Sequence, residues 1–220
     1  MMQESRASPG PLERIVSTKI IAVIRTSNPT NVVEACAALA EGGIGAVEIT
    51  LTIPGALGLI DRIVRRLEPD LLVGAGTVLD AVSAARAVDA GARFVVSPVL
   101  DSNLMATCTA QGVLAVPGAM TPNEVAAALG AGAAIVKLFP ARLASPEYVR
   151  DLLGPFPTAR LMPTGSLDLA SAARYFEAGV CSLGVGKALL EPGALARKDY
   201  AAITSAARAF SNLVPRPRNR

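Results

Sequence analysis

Eight short, largely apolar runs punctuate this chain, at residues 20–24, 46–51, 71–73, 94–96, 113–116, 134–138, 159–162 and 181–183. They recur roughly every twenty to twenty-five residues and do not alternate with polar positions, which is the pattern of parallel strands buried on both faces. Between them lie Ala-rich stretches of helical period at residues 31–41, 56–67, 82–90, 122–129 and 169–178, several of which end at a glycine suited to a helix C-terminus. Thr121-Pro122-Asn123-Glu124 reads as an N-cap, a proline at the first helical position and a glutamate at the third. Eight strands alternating with helices favour a closed α/β structure, a (β/α)8 TIM barrel behind a short N-terminal helix, over an open doubly wound sheet. The expected organisation is one domain over residues 1–220, with flexible tails at about 1–9 and 213–220.

Composition closes off several function classes. Arg216, Arg218 and Arg220, in a Pro/Arg tail, account for the whole net charge of +3, so no nucleic-acid surface is expected. Cys36, Cys108 and Cys181 lack metal-ligand spacing, and the first six residues carry no apolar signal core. Free thiols in the cytoplasm are the expectation. The most membrane-like stretch, 125–140, is interrupted by Gly130, Gly132, Lys137 and Pro140 and is too short to cross a bilayer.

Lys137 stands out as one of only four lysines, beside seventeen arginines, in a chain that contains no histidine. It sits inside Ala133-Ala134-Ile135-Val136-Lys137-Leu138-Phe139-Pro140. Apolar surroundings disfavour an ammonium and so favour the neutral, nucleophilic amine from which imine-forming lysines are made. The competing reading is a strand-end lysine that snorkels to water. Register strengthens the first. Helix-ending glycines precede several strands at Gly43, Gly91, Gly112, Gly132 and Gly179; five residues after Gly43 comes Glu48, and five after Gly132 comes Lys137. Counted along the eight runs they fall on strands two and six, so a barrel would point both inward at one level from opposite walls. An unpartnered charge there needs a purpose.

Barrels commonly gather phosphate at the loops after strands seven and eight. Here those loops read Thr164-Gly165-Ser166 and Gly184-Val185-Gly186-Lys187. Glycine backbone N–H groups, a following helix N-terminus, the Ser166 hydroxyl and the Lys187 cation would suit an anion. Ala188 stands where a Walker motif needs a hydroxyl, so a nucleoside triphosphate loop is excluded. Gly74-Ala75-Gly76-Thr77 reads as a further loop facing the site after strand three.

Val47-Glu48-Ile49-Thr50-Leu51, Gly74-Ala75-Gly76-Thr77, Ser97-Pro98, Val116-Pro117-Gly118, Val136-Lys137-Leu138-Phe139-Pro140-Ala141 and Pro163-Thr164-Gly165 occur in that order. Over roughly residues 20–190 the chain resembles the class I 2-keto-3-deoxy-6-phosphogluconate and 4-hydroxy-2-oxoglutarate aldolase family. The resemblance implies a small barrel, often a homotrimer, in which Lys137 forms the imine and Glu48 shuttles protons. It implies a substrate pocket lined by Arg25, Thr77, Pro98, Phe139 and Thr164, with phosphate at Gly165, Ser166, Gly186 and Lys187. The substrate it implies is a keto acid, phosphorylated at the far end, with no cofactor and no metal.

Two positions depart from the family pattern. Thr52 stands where many members carry arginine, leaving Arg25 as the candidate for a substrate carboxylate, and Ser166 replaces the second of two usual glycines. The lack of histidine argues against a zinc-dependent aldolase, since zinc is usually held there by imidazoles. A phosphosugar isomerase or synthase barrel, or a non-catalytic sugar-phosphate binding protein, would keep the phosphate loops without needing the apolar lysine.

Overall fold

The computed structural model describes residues 9–215. Their strand segments are β1 (Ile20–Ile24), β2 (Ala46–Thr50), β3 (Leu72–Gly76), β4 (Phe94–Val96), β5 (Leu114–Val116), β6 (Gly118–Ala119), β7 (Val136–Leu138), β8 (Leu161–Gly165) and β9 (Leu183–Val185). The helices are α1 (Pro11–Thr18), α2 (Val32–Glu41), α3 (Ala56–Leu67), α4 (Ala81–Asp89), α5 (Ser102–Ala110), α6 (Pro122–Gly130), α7 (Pro146–Leu153), α8 (Leu169–Glu177), α9 (Pro192–Arg197) and α10 (Tyr200–Asn212). All strand pairings are parallel, in the order β5-β4-β3-β2-β1-β9-β8-β7-β6. This is the (β/α)8 barrel, with the sixth, seventh and eighth apolar runs forming β7, β8 and β9.

The fifth strand closes the ring in two pieces. β5 pairs with β4 and β6 with β7, and Pro117 lies between them. Proline has no N–H to give to a ladder, so the strand changes partner there. Its carbonyl still accepts from the Lys137 N–H at 2.9 Å.

Local chemistry explains where the helices start and stop. Asp80, Asp101, Thr121 and Asp168 cap α4, α5, α6 and α8 by accepting a backbone N–H of the first turn, each worth about 1 kcal/mol. The five expected helix-ending glycines adopt φ between +66° and +99°, a region closed to most side chains.

Three glycine-bearing stretches correct the sequence reading. Gly74 and Gly76 belong to β3, Thr164 and Gly165 to β8, and Gly184 to β9, rather than to loops beyond them. Glycine reads as a turn signal, but here its missing side chain makes room inside the barrel. A Cβ at Gly74 would lie 2.5 Å from the Phe94 ring, and one at Gly184 would lie 2.4 Å from the Thr164 hydroxyl.

The barrel interior is divided. At the end where the strands begin, Ile21, Ala46, Leu72, Phe94, Val96, Val116, Ile135 and Met162 form an apolar cluster, and Ile15 of α1 is inserted among them, fully buried. Arg14 on the same helix donates to the carbonyls of Pro69 and Asp70, tying α1 to the loop before β3. Toward the other end the interior turns polar, with Glu48, Thr50, Lys137 and Thr164. A second, larger core fills the space between the sheet and its helices, and Leu213 and Val214 pack against it. The expected tails otherwise fall on residues 1–8 and 216–220, outside the described residues, as do the three tail arginines. No described helix is long and apolar enough to cross a membrane.

Candidate active site

Glu48 is the central residue of β2 and is fully buried; neither carboxyl oxygen has a hydrogen-bond partner. Lys137 is the middle residue of β7 and is only 4% exposed. Three strands separate β2 from β7 in one direction (β1, β9 and β8). In the other direction lie β3, β4 and the divided fifth strand. The two residues therefore face each other from opposite walls of the ring, and they are not hydrogen-bonded to each other. Gly76 makes room for the Glu48 carboxyl on the neighbouring strand.

Burial dominates the electrostatics of both groups. It pushes the Lys137 amine below its ordinary value; the Glu48 charge opposes that shift, and the Arg25 charge adds to it. Burial pushes the Glu48 carboxyl up, while Lys137 and Arg25 pull it back. Arg25 thus favours one particular division of protons, a neutral amine with an ionised carboxylate. That combination is a nucleophile facing a base.

Arg25, one residue beyond β1, reaches over the mouth and donates to the hydroxyls of Thr77 at 2.8 Å and Thr52 at 3.2 Å. Thr77 follows β3 with φ +56°, a left-handed conformation that costs a β-branched residue. The Lys137 Nζ lies 5.1 Å from the centroid of the Phe139 ring, which is 41% exposed and flanks the amine on the solvent side. Tyr175 of α8 donates to the carbonyls of Ala141 and Ala144, fixing the turn that follows Phe139. Thr164 is buried on β8, its hydroxyl donating to the Met162 carbonyl at 3.3 Å. Pro98 is half-buried after β4, packed so tightly that a Cβ at Gly118 would lie 2.2 Å from its carbonyl. The preceding Ser97 is fully buried and accepts from the Val99 N–H.

The expected anion loops are neighbours. Pairing of Gly165 with Val185 brings Ser166 and Gly186 out of the sheet side by side. Ser166 and Lys187 are exposed, and Gly186 is half-buried. The expected helix dipoles are weaker than the sequence suggests. α8 begins only at Leu169, with its first turn capped by the Asp168 carboxylate. After β9, the N–H groups of Leu189 and Leu190 bond the Gly186 carbonyl in a turn, before the six-residue α9. Backbone and side-chain donors, rather than a helix N-terminus, are what these loops offer.

Sequence reasoning missed a chain of hydroxyls. The Thr50 hydroxyl donates to the Ile24 carbonyl at 3.0 Å and lies 3.0 Å from the Thr52 hydroxyl, which in turn receives Arg25. Its only signal was the pair of threonines two residues apart at the end of β2. Among the described residues no three His, Cys, Asp or Glu side chains are grouped to hold a metal ion.

The chain matches the family described as KDPG and KHG aldolase over residues 12–206. It is 32% identical over 184 residues to a probable 2-dehydro-3-deoxy-6-phosphogalactonate aldolase of Rhizobium meliloti, covering 83% of this chain and 85% of that one. It is also 32% identical over 199 residues to the KHG/KDPG aldolase of Escherichia coli K12, covering 89% and 92%. Among solved structures it resembles the KDPG aldolase of Legionella pneumophila, captured with pyruvate as a covalent carbinolamine intermediate. There the TM-score is 0.83 and the identity 27%, covering 92% of this chain and 98% of that one.

Proposed function

The chain belongs to the KDPG and KHG aldolase family, a lyase fold and chemistry, and from that premise we propose that Lys137 is the imine-forming residue and Glu48 its proton shuttle. The observation that carries the reading is a buried amine facing a buried carboxylate that has no other partner. The neutral Lys137 amine adds to the C2 ketone of a 2-keto-3-deoxy-6-phospho sugar acid, and the carbinolamine loses water to give an imine. Protonated, the imine accepts the electron pair of the C3–C4 bond while Glu48, directly or through one water, takes the C4 hydroxyl proton. Glyceraldehyde 3-phosphate leaves. The remaining enamine is protonated at C3, and hydrolysis releases pyruvate and the free amine. The same steps cleave 4-hydroxy-2-oxoglutarate to pyruvate and glyoxylate.

Arg25 and Thr77 take the substrate carboxylate, at the mouth above Lys137 and Glu48. Pro98, Phe139 and Thr164 are the walls. Gly165, Ser166, Gly186 and Lys187 take the phosphate, consistent with their adjacent exit from the sheet. No resident cofactor or metal enters any step of this reading. It carries with it a single-domain subunit assembled as a homotrimer in the cytoplasm, and the buried free thiols of Cys36 and Cys108 suit a reducing compartment.

The test is pyruvate with borohydride, followed by peptide mass mapping. An irreversible adduct on Lys137, lost in Lys137→Arg because a guanidinium does not supply a neutral amine, is the expected result. An unlabelled Lys137, or cleavage by Lys137→Arg at the wild-type rate, removes the imine mechanism.

A further inference from the structure

The direction of each hydrogen bond at the mouth can be worked out from its anchor. The Ile24 carbonyl can only accept, so the Thr50 hydroxyl spends its single proton there. Thr50 then meets Thr52 only as an acceptor, and Thr52 must donate to it. With its proton committed, Thr52 faces Arg25 with lone pairs alone, the arrangement that receives Nη1. Thr77 also receives an Arg25 N–H, through Nη2, but its own proton meets no acceptor among the described residues. The outcome is a guanidinium held at both terminal nitrogens by hydroxyl oxygens, beside a hydroxyl free to donate.

From this geometry we infer that Thr52 is a positioning residue. Anchored through Thr50 to the β1 backbone, it fixes the Arg25 guanidinium so that Arg25 and the Thr77 hydroxyl together receive the carboxylate of a 2-oxo acid. The inference rests on the aldolase reading for the identity of that carboxylate. Two independent features support it. Thr77 keeps a left-handed backbone that a β-branched side chain disfavours, and it thereby meets Arg25 at 2.8 Å. Thr52 is exposed, where water could satisfy its hydroxyl, yet that hydroxyl is engaged on both sides, by Thr50 and by Arg25. A freely rotating Arg25 would have to be ordered each time substrate bound, and pre-ordering removes that cost. Of the five N–H donors of a guanidinium, those left after Thr52 and Thr77 remain for the carboxylate.

Thr52→Val keeps the shape and removes the acceptor, whereas Thr52→Ser keeps the acceptor. Two measurements separate a role toward the carboxylate from a general one. The first is steady-state cleavage of 2-keto-3-deoxy-6-phosphogluconate. The second is the concentration dependence of borohydride trapping with pyruvate and with pyruvamide, which has the ketone but no carboxylate. In Thr52→Val the KM and the half-saturating pyruvate should rise about threefold to tenfold, the scale of one net hydrogen bond. The kcat and the pyruvamide dependence should stay within about twofold, and Thr52→Ser should match wild type. Trapping of wild type with a pyruvate dependence unchanged in Thr52→Val overturns the assignment of Thr52 alone. So does an equal shift for pyruvate and pyruvamide, or a Thr52→Ser variant as impaired as the valine. If wild type forms no adduct at all, the aldolase reading falls and this assignment falls with it.

Discussion

Gly76 and Glu48 occupy one another's space: a Cβ on Gly76 would lie 1.7 Å from the Glu48 Oε1 and 2.3 Å from its Cγ. The carboxyl therefore lies where the neighbouring strand has no side chain, and its position depends on that glycine as directly as on its own backbone. Because Glu48 is fully buried, it cannot yield by swinging into solvent.

Gly76→Ala should displace the Glu48 carboxyl and cost about 1–3 kcal/mol of stability, the scale of an overpacked interior. Cleavage should fall by about a hundredfold or more, the lower reach of general acid–base catalysis. A chemical denaturation curve and a turnover assay measure the two effects. An alanine variant with wild-type turnover would show that Glu48 need not stay where it lies.

Glu48→Gln separates proton transfer from imine formation. The amide cannot take a proton, so cleavage should drop by about 10²–10⁴-fold, while pyruvate should still be trapped on Lys137. The pH dependence of trapping carries a sign. Burial lowers the Lys137 amine and the Glu48 charge opposes that shift, so removing the charge lowers the amine further. The neutral form then persists to lower pH, and the acid limb of trapping should move to lower pH than in wild type. A limb that stays in place or moves upward would mean that Glu48 is not ionised opposite Lys137.

Lys187→Ala tests the phosphate end. KM for the 6-phosphorylated acid should rise roughly tenfold to a hundredfold, as for a lost charge-assisted hydrogen bond. Cleavage of unphosphorylated 4-hydroxy-2-oxoglutarate should barely change. Equal losses on both substrates would make Lys187 structural. A wild-type preference for the unphosphorylated acid would remove the phosphate assignment altogether.

The facing pair was legible because two regularities coincide. Five helices, α2, α4, α5, α6 and α8, end at a left-handed glycine, and a fixed count from Gly43 and Gly132 reaches Glu48 and Lys137. The strand ends were harder to read. Apolar-run counting stops at glycine, yet Gly74, Gly76 and Gly184 lie on strands because the interior there is filled by Phe94, Glu48 and Thr164 from neighbouring strands. No local signal reports a side chain missing for the benefit of a residue elsewhere in the chain. The partner switch at Pro117 had a signal in the proline itself, but only the closed ring shows which two strands it joins. The hydroxyl chain through Thr50 and Thr52 is likewise a product of neighbouring strands, since its anchor is a carbonyl on β1.

Ile15 gives the first helix an electrical role. By filling the barrel where the strands begin, α1 keeps water from reaching the polar layer from below. The depressed amine and the raised carboxyl are both consequences of that dryness. A helix at the far end of the barrel is thus part of the insulation that holds the Lys137 amine below its ordinary value, and the proton balance near one mouth of the barrel depends on the seal at the other.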